Sequence, residues 1–109
     1  LCFVNPKAEC RWVDEELIPL AQRKKMGIIA MKVYGGGPGT LVGDGEGKAP
    51  APQLLRYALS QPLATVVPAI ANREQLQQNL EVERNFKPMS DEESKMLIAH
   101  INLPTREAR

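Results

Sequence analysis

Gly35-Gly36-Gly37-Pro38-Gly39 is the stretch with the plainest capacity for chemistry. Without Cβ atoms, its backbone amides can come close to a phosphate. The same glycines equally suit a flexible linker, and the residues alone leave both readings open. Known nucleotide signatures are missing. The spacing GxxxxGK[ST] fails at Gly47-Lys48, because Val42 stands where a glycine is required and Ala49 follows the lysine; no GxGxxG can be read in the loop. Lys32 ends an apolar run, the place where parallel sheets hold ligands, although a solvated strand terminus explains it as well. Tyr34 and Tyr57 have no base at a local spacing that would make them acids. His100, near Met96 and Ile101, reads as a surface or packing residue, and Asp91-Glu92-Glu93 as negative charge at a helix start. Cys2 and Cys10 lack metal-type and CxxC spacing; as a pair they could bridge, but they read first as reduced structural thiols, which points to a cytoplasmic setting. The residues therefore offer no catalytic nucleophile, no metal set and no acid–base pair.

The elements that must position these groups alternate. Leu1–Val4 is a short apolar run ended by Asn5-Pro6, a strand and a turn. Asp14, Glu15 and Glu16 load a helix start, Leu17, Ile18, Leu20 and Ala21 give its apolar face, and Arg23-Lys24-Lys25 suit its last turn. Pro19 places the regular part near Ile18, with the proline in the first turn. Trp12 reads as packing for a barrel edge. Gly27–Val33 is mostly apolar without alternation, as in a strand covered on both faces. After the long glycine-bearing loop, Pro52 opens a helix with Leu54, Leu55, Ala58 and Leu59 on one face, and Pro62 ends it. Leu63–Val67 is a third strand stopped by Pro68. Asn72 with Gln75, and Ser90 with Glu93, are capping-box patterns. Leu76 and Leu80 are the expected buried stripe of the first of these helices, and Met96, Leu97 and Ile101 follow at helical spacing in the second. Pro104 and a charged tail close the chain.

The order β-α-β-α-β-α-α without a hairpin signal predicts a parallel sheet covered by helices. The chain has 109 residues, 43% of them hydrophobic and 25% charged, with a formal charge of +1. Interleaved charges give no footprint for nucleic acid, and no apolar run approaches a membrane span. A closed eight-unit barrel needs about 250 residues, so the chain is either a small open sheet or a piece of a barrel.

Ordered stretches resemble the C-terminal part of an aldo-keto reductase: Asn5-Pro6, Leu17-Ile-Pro-Leu-Ala-Gln-Arg-Lys-Lys-Met-Gly-Ile-Ile-Ala-Met-Lys32, Gly35-Gly-Gly37, Leu54-Leu-Arg-Tyr-Ala-Leu59, Ala64-Thr-Val-Val-Pro68, Glu74-Gln-Leu76, Asn79-Leu80 and Asn85-Phe86. The resemblance spans roughly Leu1 to Glu93. It implies that residues 1–109 are an incomplete domain, a partial (β/α)8 TIM-barrel segment carrying strands six to eight and a C-terminal helix. The family passes hydride from NADP or NAD to a small carbonyl substrate, and its catalytic Asp, Tyr, Lys and His come from earlier strands. No catalytic residue is therefore carried over; Lys32, Tyr34, Tyr57 and His100 are not given those roles.

The cofactor side carries over in part. Met31 and Lys32 fall where the nicotinamide packs and the pyrophosphate loop starts, and Gly35, Gly36 and Gly37 where the backbone meets the pyrophosphate. Ala69 and Ile70 stand where many members have Lys-Ser on the adenosine 2′-phosphate, and Gln75 replaces the flanking arginine. Gln78 and Asn79 match the Glu-Asn pair that reads adenine. Leu1 falls where a glutamine touches the nicotinamide amide. These departures argue against a preference for NADP. Two other readings stand beside this one: a non-catalytic truncated barrel or binding module, and an unrelated small open-sheet α/β domain.

Overall fold

The computed structural model describes residues 1–36 and 39–103. Its strands are β1 (Cys2–Phe3), β2 (Ile29–Met31) and β3 (Thr65–Val66). Its α-helices are α1 (Ile18–Arg23), α2 (Ala51–Leu59), α3 (Arg73–Arg84) and α4 (Asp91–Ile101). The strands form one parallel sheet in the order β1-β2-β3, with Cys2 opposite Ala30 and Ala30 opposite Val66. The chain is thus an α/β domain with an open three-stranded sheet, as the alternation predicts. Pro104 and the tail lie outside the described residues.

Local chemistry sets the helix ends. Pro52 falls in the first turn of α2, where a missing N–H breaks no intrahelical bond. Pro19 is the second residue of α1 but follows helical residues without a break, so its missing N–H leaves a carbonyl of the preceding turn without an intrahelical donor. A π-helical stretch, Val13–Leu17, carries Asp14, Glu15 and Glu16 into α1. At α4 the Ser90 hydroxyl accepts from the Glu93 N–H at 3.1 Å, and the Glu93 carboxylate accepts from the Ser90 N–H at 3.3 Å, a complete capping box. At α3 the box is displaced: Asn72 accepts from the Gln75 N–H at 2.9 Å, but Gln75 Oε1 accepts from the N–H of Ala71 at 2.7 Å.

Helix α2 is buried from two sides. Leu55 and Ala58 join Val4, Ile18, Ala21 and Ala30 in a core between sheet and helices. Leu54 and Tyr57 join Leu41, Ala49, Leu97 and Ile101 in a second cluster. That second cluster anchors much of the loop read from sequence as flexible. Leu41 N–H donates to the Tyr34 carbonyl and Ala49 N–H to the Leu41 carbonyl, each at 2.8 Å, and Val42 and Ala49 form a parallel bridge.

Two apolar stripes differ from expectation. Leu76 and Leu80 are 42% and 41% exposed, while Asn79 is the buried residue of α3. The cause is a hydrogen bond: Asn79 faces inward because the Tyr34 hydroxyl donates to its Oδ1 at 2.6 Å. In α4, Leu97 and Ile101 are buried but Met96 points outward.

Burial also alternates along the strands. Val4, Ala30 and half-buried Val66 lie in the core beneath the helices, whereas Leu1, Phe3, Ile29 and Val67 are exposed. The expectation of a β2 covered on both faces is therefore corrected: α1 and α2 cover one face, and nothing among the described residues covers the other. We expect the isolated chain to associate as its concentration rises, through this face. Burying one phenylalanine contributes about 1.5–3 kcal/mol, so Phe3→Lys should weaken association roughly ten- to hundredfold in sedimentation equilibrium. A dilute monomer that melts cooperatively, with no concentration dependence, would contradict this.

Candidate functional site

Parallel strands release the chain at a common end, and here the exits of β2 and β3 enclose a cleft of about 330 Å³. Gly36, Ala69, Gln75, Gln78 and Asn79 line it, together with Tyr34, Thr40, Val42, Ala51 and Ala71. Half of the residues that the sequence resemblance assigns to a cofactor thus share one wall system. Gly35 sits just behind the cleft with φ of 87°, and a Cβ there would lie 2.5 Å from the Gly39 carbonyl oxygen, so the turn requires glycine. Ile70 is exposed and outside the lining. Gly37 lies outside the described residues. Met31 ends β2 opposite Phe3, on the uncovered sheet face.

Asn79 is the polar feature of this cleft. It is 9% exposed; its Oδ1 is engaged by Tyr34, while its Nδ2 is buried with no partner among the described residues. A buried N–H without an acceptor costs about 1–3 kcal/mol. An orphaned donor in the wall of a cleft marks a place for an acceptor. Burial also pushes the Tyr34 phenol up from its ordinary value, keeping it a donor. Ala69 and Gln75 place no cation here, and the Gln75 carbonyl is spent on Ala71.

Lys32 adopts φ of 55°, a left-handed conformation that is strained for a lysine. Its carbonyl holds it there, accepting from Asn5 Nδ2 and from the Gly35 N–H, each at 2.9 Å. The side chain consequently crosses Gly36, where a Cβ would lie 2.8 Å from Lys32 Cδ and 3.2 Å from Nζ. The lysine that the sequence places at a ligand-holding strand end thus lies against Gly36, a residue of the cleft lining.

A second polar group escapes local spacing altogether. Tyr57, 1% exposed, donates its hydroxyl to Asp14 Oδ2, and Arg11 Nη1 donates to both, at 2.7 Å to Asp14 and 2.6 Å to Tyr57. Asp14 does belong to an acidic helix start, as read from sequence, but it also pins that turn to α2 across 43 residues. The group is structural: it lies within the packing between helices. Burial pushes both Cys2 and Cys10 thiols up, so neither is an activated nucleophile. His100 is exposed and bonded to the Lys48 carbonyl at 2.7 Å, a surface role. Among the described residues no group of His, Cys, Asp or Glu could hold a metal, and no helix is long and apolar enough to cross a membrane. No family model matches the chain, and no curated protein or solved structure matches it significantly.

Burial raises the pKa of Asp14 above 3.8, against the pull of Tyr57 and Arg11, and burial and Asp14 raise that of Tyr57 above 10. The folded Asp14 carboxyl holds its proton to higher pH than the unfolded one. Its protonation therefore favours folding, fully below about pH 3.8, and the gain disappears as pH rises through the folded value. For Tyr57 the folded phenol stays protonated while the unfolded one ionises, so stability falls above pH 10. Absorbance at 295 nm should show both tyrosines ionising above the ordinary midpoint, Tyr57 only as the chain unfolds. Asp14→Asn should flatten the acid limb of urea midpoint against pH.

Proposed function

We propose that this chain is the strand-six-to-eight segment of an aldo-keto reductase-like barrel whose complete protein reduces aldehydes or ketones with NADPH or NADH. The observation that carries the reading is the cleft at the C-terminal strand ends, with the orphaned Asn79 amide in its wall. Open parallel sheets and barrels alike bind ligands at that end. The uncovered apolar face of the sheet adds support, since in a barrel it would turn to the interior.

The residues fit an extended dinucleotide. Asn79 Nδ2 would donate to a ring nitrogen of adenine, relieving its own desolvation, and Gln78 would flank it. Gly36 leaves room for a phosphate against the backbone, with the Lys32 ammonium beside it. Bound, the nicotinamide supplies the hydride. This chain contributes orientation of that donor and a dry wall, which act through proximity; the acid–base machinery belongs to strands that precede Leu1 in the proposed barrel.

Affinities for NADH and NADPH should agree within about threefold, because Ala69 and Gln75 give the 2′-phosphate no cation. Two charge-assisted bonds at those positions would be worth about 1.5–3 kcal/mol each at most, less where solvent screens them. Arg73, exposed at the start of α3, is the nearest cation in sequence. Fluorescence titration of the complete protein, its Arg73→Ala variant and its Asn79→Ala variant tests the reading. Asn79→Ala should weaken both cofactors about tenfold, the value of one buried hydrogen bond. Hundredfold tighter NADPH binding that survives Arg73→Ala would misplace the phosphate pocket, and no binding of either cofactor would overturn the reading.

A further inference from the structure

Met96 is 74% exposed on α4 and belongs to neither apolar cluster. His100 follows it by four residues, so the two share a helix face. Both line a cavity of about 340 Å³ between α2 and α4, together with Met89, Gln53, Arg56, Glu93 and Leu97. This cavity shares no residue with the cleft at the strand ends. Its one carboxylate is already engaged. Glu93 Oε2 accepts from Arg56 Nη1 at 2.5 Å, and Oε1 accepts from Arg56 Nη2 and the Ser90 N–H, each at 3.3 Å. The same guanidinium donates to the carbonyls of Lys87 and Pro88, at 2.7 and 3.2 Å, and Met89 N–H donates to Ser60 Oγ at 2.9 Å. These bonds fix the segment bearing Met89 against α2. Arg56 and Glu93 cancel in charge, and the donors left in the lining are two thioethers, an imidazole and the Gln53 amide.

We propose that Met89, Met96 and His100 form a binding site for copper(I). Thioethers are soft ligands that select copper(I) over harder divalent ions, and imidazole suits copper as well. The His100 ring is set up for the task. A carbonyl can only accept, so the 2.7 Å contact with the Lys48 carbonyl makes Nε2 the protonated nitrogen of the neutral ring and leaves the Nδ1 lone pair to a ligand. Metal-ligating histidines commonly donate their other N–H to a backbone carbonyl in this way, which fixes tautomer and ring orientation. Met89 is oriented too: the Ser94 hydroxyl donates to its Sδ at 3.9 Å, using one sulfur lone pair and leaving the other to coordinate. Met96 supplies the adaptable donor. Its side chain is unbranched and unpacked, so its sulfur can close on an ion without disturbing the core. With no thiolate and no free carboxylate in the lining, zinc and magnesium find no suitable ligand set there.

The test is NMR of the full chain labelled at its methionine methyl carbons and titrated with silver(I), a redox-silent ion of the same charge and ligand preference. Of the four methionines, Met89 and Met96 should shift, and Met26 and Met31 should not. Thiols take silver as well, but Cys2 and Cys10 line a different cavity, so methyl shifts followed past thiol saturation separate the two. In the His100 ring, Nδ1 should be the coordinated nitrogen and Nε2 the protonated one. Met96→Leu, a volume-conserving change at an exposed position, should weaken silver at this site about tenfold or more, and so should His100→Gln. Neither variant should move the urea midpoint. Copper(I) delivered from its bicinchoninate complex under argon should shift the same two methyls, and zinc(II) should shift neither. Shifts absent from Met89 and Met96, coordination through Nε2, or an unchanged silver affinity in either variant would overturn the proposal. Zinc(II) binding there in preference to copper(I) would do so too.

Discussion

Parallel strands cannot be joined by hairpins, and that constraint organises this molecule. Each return from one strand to the next must cross the sheet, here with α1 between β1 and β2 and α2 between β2 and β3. The crossovers bury Val4, Ala30, Leu55 and Ala58 together. They also deliver every strand exit to one rim. Asn5 follows β1, Lys32 and the glycine turn follow β2, and Ala69 follows β3. Residues separated by 45 positions, Tyr34 and Asn79, become neighbours at the cleft because the topology leaves them nowhere else to be.

Two buried amides on that rim show what polarity in a core can do. Asn5 is fully engaged: donor and acceptor are both satisfied by backbone, so it acts as a rivet between the ends of β1 and β2. Asn79 is half engaged, its oxygen bonded to Tyr34 and its nitrogen to nothing among the described residues. The first arrangement returns the cost of desolvation within the fold. The second leaves a debit of about 1–3 kcal/mol that an acceptor from outside can remove. Burial alone does not separate a structural asparagine from a binding one; the count of satisfied atoms does.

That distinction also marks how far the sequence could be read. Pro52, Pro62 and the Ser90–Glu93 box fix element ends through local chemistry, so the order of strands and helices is legible in the sequence. The glycine stretch is legible from its residues as backbone open to a phosphate, whereas Asn79 is singled out by resemblance alone, and nothing in its spacing gives the Tyr34 bond. Leu76 and Leu80 mislead because helical periodicity identifies a stripe but not whether anything lies against it. The bond from Tyr57 to Asp14 spans 43 residues, and an acidic helix start gives no sign of it.

The apolar runs of the sequence are longer than the strands they form. Leu1–Val4, Gly27–Val33 and Leu63–Val67 supply strand-forming residues, yet pairing is confined to Cys2–Phe3, Ile29–Met31 and Thr65–Val66. Ladder bonds alone contribute little net stability, because water satisfies the same groups in the unfolded chain. Strands lengthen when both faces are buried, and here Leu1, Phe3, Ile29 and Val67 gain nothing from being ordered on the open side. The cleft begins within a few residues of the strand ends, at Gly36 and Ala69. The left-handed Lys32, its carbonyl held by Asn5 Nδ2 and the Gly35 N–H, also stops β2 short of that rim, so the strand's end is set by the turn that follows it as well as by the open face.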